Sequence, residues 1–404
     1  MDKNKLEQII CPALWDHLCV NTMGKNRLCC NAVTQDNDRF IGGFDAHWND
    51  LRDGIKKELL AGGRPEICKS CWKKEDAGIT SLRESKIATY KDNNVWDEFL
   101  DNIDNKKVYP VELDLKLGNY CNLSCRMCSS YSSSGVANES KKILKETGID
   151  LGIDDYEKEF VQNKWYLQDE FVDSIKDMIA NGLRHLKFTG GEPFMVPSVL
   201  KLINFCIEND YAKNIDLIII TNVTLIDDEW IERLKHFKYV NINCSLDGIG
   251  HTFEYIRHPA IWTDVKQKLD NLAMAANASS LDLVITFTLQ IYNILEIKNM
   301  VNLSTELNMR INAIILDTPP YLDVRNAPQA LKDDALQMIA NIEAEFDKSA
   351  RQYKNQLSYV NNVKNAIKQE QNSDITKQFI DVSRLKDTYK NQDIETLEIW
   401  KYYG

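Results

Sequence analysis

Residues 111–128 read VELDLKLGNYCNLSCRMC. A short apolar strand, Val111–Leu117, runs through a Gly-Asn turn into three cysteines, Cys121, Cys125 and Cys128, spaced CxxxCxxC. Chance gives that three-thiol spacing in roughly 1% of chains of this composition. Three thiolates on one tight loop cannot close a four-coordinate site by themselves. They can hold three irons of a [4Fe–4S] cubane and leave the fourth iron open, as a catalytic metal keeps one position for substrate. A zinc knuckle that borrows a fourth ligand from elsewhere is the alternative. The place after a strand matters, because barrel active sites form at the C-terminal ends of the strands.

Working outward, β-rich apolar runs alternate with helix-length amphipathic segments. The pattern predicts strands at Val111–Leu117, Leu186–Thr189, Leu217–Thr221, Val240–Ser245, Leu283–Leu289 and Arg310–Ile315. Helices are expected at Glu170–Asn181, Pro197–Asn209, Asp227–Phe237, Ile261–Ala276 and Leu295–Leu307. Six such repeats predict an α/β fold, a partial (β/α)6 TIM-like barrel of parallel strands. The continuous apolar runs DLIII (216–220) and AIIL (313–316) read as strands buried on both faces. Nearly 60 residues separate Cys128 from the second strand, too many for one crossover, so 131–168 reads as an insertion near the mouth. Residues 321–404 read as a C-terminal extension of two or three amphipathic helices, packed on the barrel or partly mobile. Residues 1–100 look irregular, with a short helix around Trp48–Leu60, and the polar stretch Lys91–Lys107 reads as a connector. The expected domains are thus 1–100, 101–320 and 321–404.

The 404 residues carry 49 Lys and Arg against 60 Asp and Glu, a net charge of −11. A global fit to nucleic-acid phosphates is not expected from that balance. No apolar run approaches the 18 or so residues a membrane span needs, and MDKNKLEQII has no apolar signal core. A soluble, cytoplasmic protein is expected. Nine of the eleven cysteines fall in the first third of the chain. With only six histidines, none shortly after a CxxC, the thiols point to iron–sulfur or all-cysteine zinc.

CNLSCRMC, with the strand ends that follow it, resembles the signature of radical S-adenosylmethionine (radical SAM) enzymes. Gly190-Gly191-Glu192-Pro193 is similar to the family's GGEP turn. Paired glycines there let backbone approach a ligand closely, and the resemblance implies contacts to the methionine amino group. Thr221-Asn222-Val223 is similar to TNG, with Val in place of Gly. Cys244-Ser245-Leu246-Asp247-Gly248 is similar to S-x-D-G, which implies that Ser245 and Asp247 face the ribose and methionine parts of SAM. Arg257 stands where relatives place an arginine for the SAM carboxylate, a pairing that suits a guanidinium fork; a solvated loop charge is the other reading. Met127 occupies the position before the last cysteine, which the resemblance implies lies beside the adenine. No adenine contact is assigned from Ile285–Gln290, which lacks the family's GxIxGxxE-like pattern. Cys206 and Cys244 read as buried small hydrophobes. Tyr255, His251 and Asp317, near strand ends, are read as ordinary loop residues before substrate contacts.

The N-terminal string Cys11-Pro-Ala-Leu, Gly24 through Cys29-Cys30, and Cys68-Lys-Ser-Cys71 resembles the SPASM and twitch modules that hold auxiliary clusters. Those modules usually follow the barrel, whereas here the string precedes it. After the triplet and the two buried thiols are removed, six cysteines remain. That number allows one further cluster with four cysteine ligands and not two. The expected ligands are Cys11, Cys29, Cys68 and Cys71, with Cys19 or Cys30 as substitutes; a four-cysteine zinc ribbon remains open.

The resemblance implies reductive cleavage of SAM to a 5′-deoxyadenosyl radical that removes hydrogen from a substrate. It also implies a small electron donor of flavodoxin or ferredoxin type. A peptide or protein side chain is the expected substrate, and a small metabolite or nucleotide-derived compound the alternative. Outside radical chemistry stand a non-catalytic iron–sulfur carrier and a zinc-stabilised binding protein.

Overall fold

The computed structural model describes residues 3–32, 44–76, 78, 80–92, 94–103, 109–152, 164–277, 279–370 and 375–403. They form a mixed α/β fold on mostly parallel strands. The chain divides into two compact units. The first holds Met1–Gly118, Lys158–Gly190 and Val196–Leu217; the second holds Asn119–Glu157, Gly191–Met195 and Ile218–Gly404.

In the first unit the strands are β1 (His17–Val20), β2 (Asn26–Arg27), β3 (Glu112–Lys116) and β4 (His185–Thr189), in the order β2-β1-β3-β4. β1 runs antiparallel to β2 and parallel to β3, and β3 is parallel to β4. β5 (Asp216–Thr221) spans the boundary between the units. The second unit carries β6 (Tyr239–Ser245), β7 (Leu281–Leu289) and β8 (Arg310–Ile315), parallel in that order. All six strands read from the sequence are present, and the first five are each followed by the helix its periodicity predicted, or nearly so. Those helices are Asp169–Ala180, Pro197–Glu208, Asp228–Leu234, Trp262–Ala276 and Ile297–Glu306.

Four local expectations need correction. The runs DLIII and AIIL are not uniformly buried. In β5, Leu217 and Ile219 are buried while Ile218 and Ile220 are half-buried. In β8, Ile314 is 52% exposed and shares an open face with Arg310 and Asn312, while Ile311 on the other face is buried. In the described part of residues 1–100, the segment is largely helical rather than irregular. Helices Lys3–Ile9, Ala13–Asp16, Phe44–Leu60, Lys69–Asp76, Leu82–Asp92 and Trp96–Asp101 surround a core of Leu14, Trp15, Leu59, Trp72, Trp96 and Phe99. Phe99 meets Trp15 edge-on at 6.1 Å and stacks on Trp96 at 5.6 Å. Most of these helices are too short to be stable alone and gain their order from packing on one another. For the same reason the described part of 91–107 is not a connector, since Trp96, Phe99 and Leu100 are buried in that core. The fourth correction is Tyr255, read as an ordinary loop residue but lying in helix Gly250–Ile256, buried against Arg126.

The 131–168 segment begins with helix Ser134–Thr147, capped by Ser133, whose side chain accepts the Val136 amide. Its residues 153–163 lie outside the described residues. The described part of the C-terminal extension carries the α-helices Gln329–Glu345, Tyr353–Lys368 and Thr376–Lys390. Asn355 in the second accepts the Ile311 amide of β8 at 2.7 Å. Among the described residues, no helix is long and apolar enough to cross a membrane.

Candidate radical SAM site and a second thiol cavity

The loop 119–133 leaves β3 and carries all three thiols of the triplet in the second unit. Its backbone is held at every few residues. The Cys121 amide donates to the Ser134 hydroxyl at 3.1 Å, and the Ser133 hydroxyl donates to the Leu123 carbonyl. The Ser124 amide donates to His258 O at 2.8 Å and the Arg126 amide to Ile256 O at 2.9 Å. The thiols sense one another. A hydrogen bond between Cys125 and Cys128 lowers the first and raises the second. Burial, with Cys125 and Glu192 nearby, pushes Cys121 up to about 11. Charging them together needs a positive partner, and Arg257 is that partner: it is 6% exposed and acts on all three thiols. A buried arginine is not a solvated loop charge, so that reading of Arg257 is set aside. Its Nη2 lies 2.7 Å from Asp247 Oδ2. Burial works against the Arg257 cation, but Asp247 and the thiols outweigh it.

The Gly-Gly-Glu-Pro turn sits directly on this loop. Glu192 donates its amide to Tyr120 O at 2.8 Å. A Cβ on Gly191 would fall 2.2 Å from the same oxygen, so only glycine permits the approach. Gly190 has φ +120° and abuts Gly118 O at the end of the first unit. The Glu192 carboxylate is buried and accepts from Thr221 Oγ1 and the Asn222 amide, both at 2.8 Å, and from the Phe194 amide at 3.2 Å. Burial nevertheless pushes it up to about 7. Pro193 is buried at the start of a short 3-10 turn. Asn222 turns its Nδ2 to Asn122 Oδ1 at 2.9 Å and lies 3.9 Å from Cys121 Sγ. Ser245 ends β6 half-buried, and Asp247, just beyond it, accepts the Thr288 amide at 2.8 Å. Met127 is half-buried on the loop. The sequence reading missed Thr224, whose hydroxyl accepts from Asn122 Nδ2 at 2.8 Å and which belongs to no spacing pattern.

In the first unit a separate cavity is lined by Cys11, Cys29, Cys68 and Cys71, with Leu59, Trp72 and Arg83. Burial and mutual repulsion raise Cys11 and Cys68 to about 12. Cys19 and Cys30 do not line it: Cys19 lies on β1 opposite Asp114, and Cys30 acts electrostatically on Cys19. Cys206 and Cys244 are fully buried, on a helix and on β6. Two guanidiniums attend the thiol cavity. Arg83 pairs with Glu75 at 2.7 Å and donates to Ile10 O, while the buried Arg52 donates to Leu14 O and is influenced by Cys29 and Cys11. Sequence reading gave neither arginine a role. Among the described residues, no three His, Cys, Asp or Glu side chains surround a common point as a single metal ion requires.

The family model of the Radical SAM superfamily matches residues 115–303, from β3 into helix Ile297–Glu306. That stretch is a radical SAM domain. Such a domain implies a [4Fe–4S] cluster and SAM. Sulfur donors from one loop, with a buried cation facing them, fit that cluster. The sporulation killing factor maturation protein SkfB of Bacillus subtilis (strain 168) is 24% identical over 193 residues, 46% of this chain and 39% of that protein. Among solved structures, native anSMEcpe with bound AdoMet is 16% identical, with TM-score 0.38, over 56% of this chain and 58% of that one. Streptococcus suis SuiB bound to S-adenosylmethionine is 16% identical, with TM-score 0.37, over 73% and 60%. The chain spans about two fifths of the length of the curated relatives it matches.

Proposed function

We propose that this chain is a radical SAM enzyme that modifies a peptide or protein side chain, with an auxiliary [4Fe–4S] cluster in the N-terminal thiol cavity. The observation that carries it is the junction of the Cys121–Cys128 loop with the Gly190–Pro193 turn, where Tyr120 O accepts the Glu192 amide. The cluster and SAM, when bound, supply reductive C–S cleavage to the 5′-deoxyadenosyl radical. The protein's share is placement and exclusion of water. Cys121, Cys125 and Cys128 would hold three irons. Glu192, buried and acceptor-rich, suits a methionine ammonium, and Ser245 and Asp247 stand at the β6 end for the ribose side. Asn222 and Met127 flank the loop. Arg257 is already paired with Asp247, so it would meet the SAM carboxylate with its remaining donors.

Cys11, Cys29, Cys68 and Cys71 would hold the second cluster, with Arg83 and Arg52 offsetting its negative charge. A fully cysteine-ligated cluster has no open iron, which favours electron transfer over substrate binding. The electron donor would be a flavodoxin or ferredoxin. A peptide substrate is supported by the maturation role in the name of the SkfB relative. Metal analysis with an anaerobic SAM-cleavage assay tests the reading. About eight irons per chain with release of 5′-deoxyadenosine is expected. Zinc without cleavage points to a binding protein, and iron without cleavage to a carrier. Cys125→Ala should abolish cleavage; full turnover in that variant sinks the site. Cys68→Ala should leave uncoupled cleavage and impair product formation.

A further inference from the structure

The C-terminal helix Thr376–Lys390 lies beyond the stretch that matches the radical SAM family, yet its side chains reach the cysteine loop. Lys390 donates its ammonium to Ser124 O at 2.7 Å and pairs with Glu139. Lys386 donates to Arg126 O at 3.2 Å. Asp387 accepts from Arg126 Nη2, and Arg126 also reaches Ser383 O at 3.5 Å. Positions 383, 386, 387 and 390 fall on one stripe of the helix at spacings of three and four. The contacts are dry: the Lys390 side chain is 1% exposed and that of Arg126 0%. The Arg126 guanidinium lies 3.6 Å over the Tyr255 ring and donates to Tyr255 O at 2.9 Å, so the loop is gripped from both sides.

We propose that Lys386, Asp387 and Lys390 are positioning residues for the cluster: through the Ser124 and Arg126 carbonyls and the Arg126 side chain they fix the spacing of Cys121, Cys125 and Cys128 and place two ammonium groups behind it. Ser124 and Arg126 flank Cys125 in the chain, so a shift of either carbonyl moves the middle ligand. Lys390 acts electrostatically on Cys125, and Cys128 acts on Lys386. Positive charge at that range favours the reduced, more negative cluster. This rests on the cluster reading above.

The experiment compares the full chain with Lys386→Met/Lys390→Met, Lys390→Gln and Lys377→Met, an exposed lysine on the same helix that serves as control. Two readouts are taken: the iodoacetamide alkylation rate of Cys121, Cys125 and Cys128 in cluster-free protein, by peptide mass spectrometry, and the cluster midpoint potential by EPR-monitored titration. The double variant should alkylate about tenfold faster. It should also need a potential about 59 mV lower, a tenfold change in the one-electron ratio. Lys390→Gln keeps a donor for Ser124 O, so its thiols should stay protected while its potential falls. Alkylation and potential unchanged in the double variant overturn the proposal, as does an unchanged potential in Lys390→Gln. Should the wild type bind no iron, the cluster reading fails, and the alkylation arm still decides whether the helix holds the loop.

Discussion

Glu192 Oε2 accepts the Asn222 amide at 2.8 Å, so one buried carboxylate joins the turn after β4 to the end of β5. Its pKa is raised by burial to about 7, above the usual 4.5. Between those values the folded protein holds a proton that the unfolded chain releases. The stability this group contributes is therefore greatest below about pH 4.5 and falls as pH rises to about 7. In Glu192→Gln that slope disappears, though one amide faces the Gln nitrogen and loses its acceptor. Urea melts across this range should show wild type losing on the order of 3 kcal/mol relative to the variant. A pH-independent difference would contradict this.

Gly191→Ala should disrupt the junction with the cysteine loop. Its Cβ would meet Tyr120 O at 2.2 Å and Asn119 C at 2.6 Å, both backbone atoms that cannot rotate away. We expect a loss of about 3 kcal/mol or a displaced loop, read as a lower melting temperature and weaker iron uptake. An unchanged melt would show that the turn has room.

Val223 occupies the left-handed region at φ +69°, where the related family pattern has glycine. The conformation costs a β-branched residue about 1–2 kcal/mol. Its side chain is fully buried, worth about 1.5–3 kcal/mol, and glycine adds unfolded-state freedom of about 0.5–1 kcal/mol. Burial wins, so Val223→Gly should destabilise by about 1 kcal/mol rather than stabilise. Denaturant midpoints decide the sign.

Arg83 and Glu75 form an ion pair with side chains 8% and 11% exposed. Arg83→Met leaves Glu75 buried and the Glu7 and Ile10 carbonyls without their donor. A loss of about 3–5 kcal/mol is expected, and Glu75→Gln in the same chain should recover part of it. A double-mutant cycle measures the recovery; strictly additive losses would mean the two residues act apart.

Strand and helix placement from residue 109 to 316 was legible, because alternation and 3.6-residue periodicity are local signals. The CxxxCxxC spacing likewise puts Cys121, Cys125 and Cys128 on one loop. What the sequence hid was long-range. The helices of the first hundred residues are individually short, and Trp15, Trp72 and Phe99 find their partners only in three dimensions. Lys386 and Lys390 form a plain i, i+4 pair on a polar helix, and nothing local says that Ser124, more than 250 positions earlier, supplies their target. Ile314 read as core because hydropathy does not report which face of a strand is covered.

β1, within the N-terminal hundred residues, lies in parallel register on β3, with Leu18 beside Leu113 and Cys19 beside Asp114. β3, which leads into the cysteine loop, thus borrows its lateral partner from a segment that precedes it by almost a hundred positions. A shortened chain starting after residue 103 would strip β3 of that neighbour and present a raw row of amides and carbonyls, an invitation to self-association. Expressing residues 104–404 alone should give insoluble material.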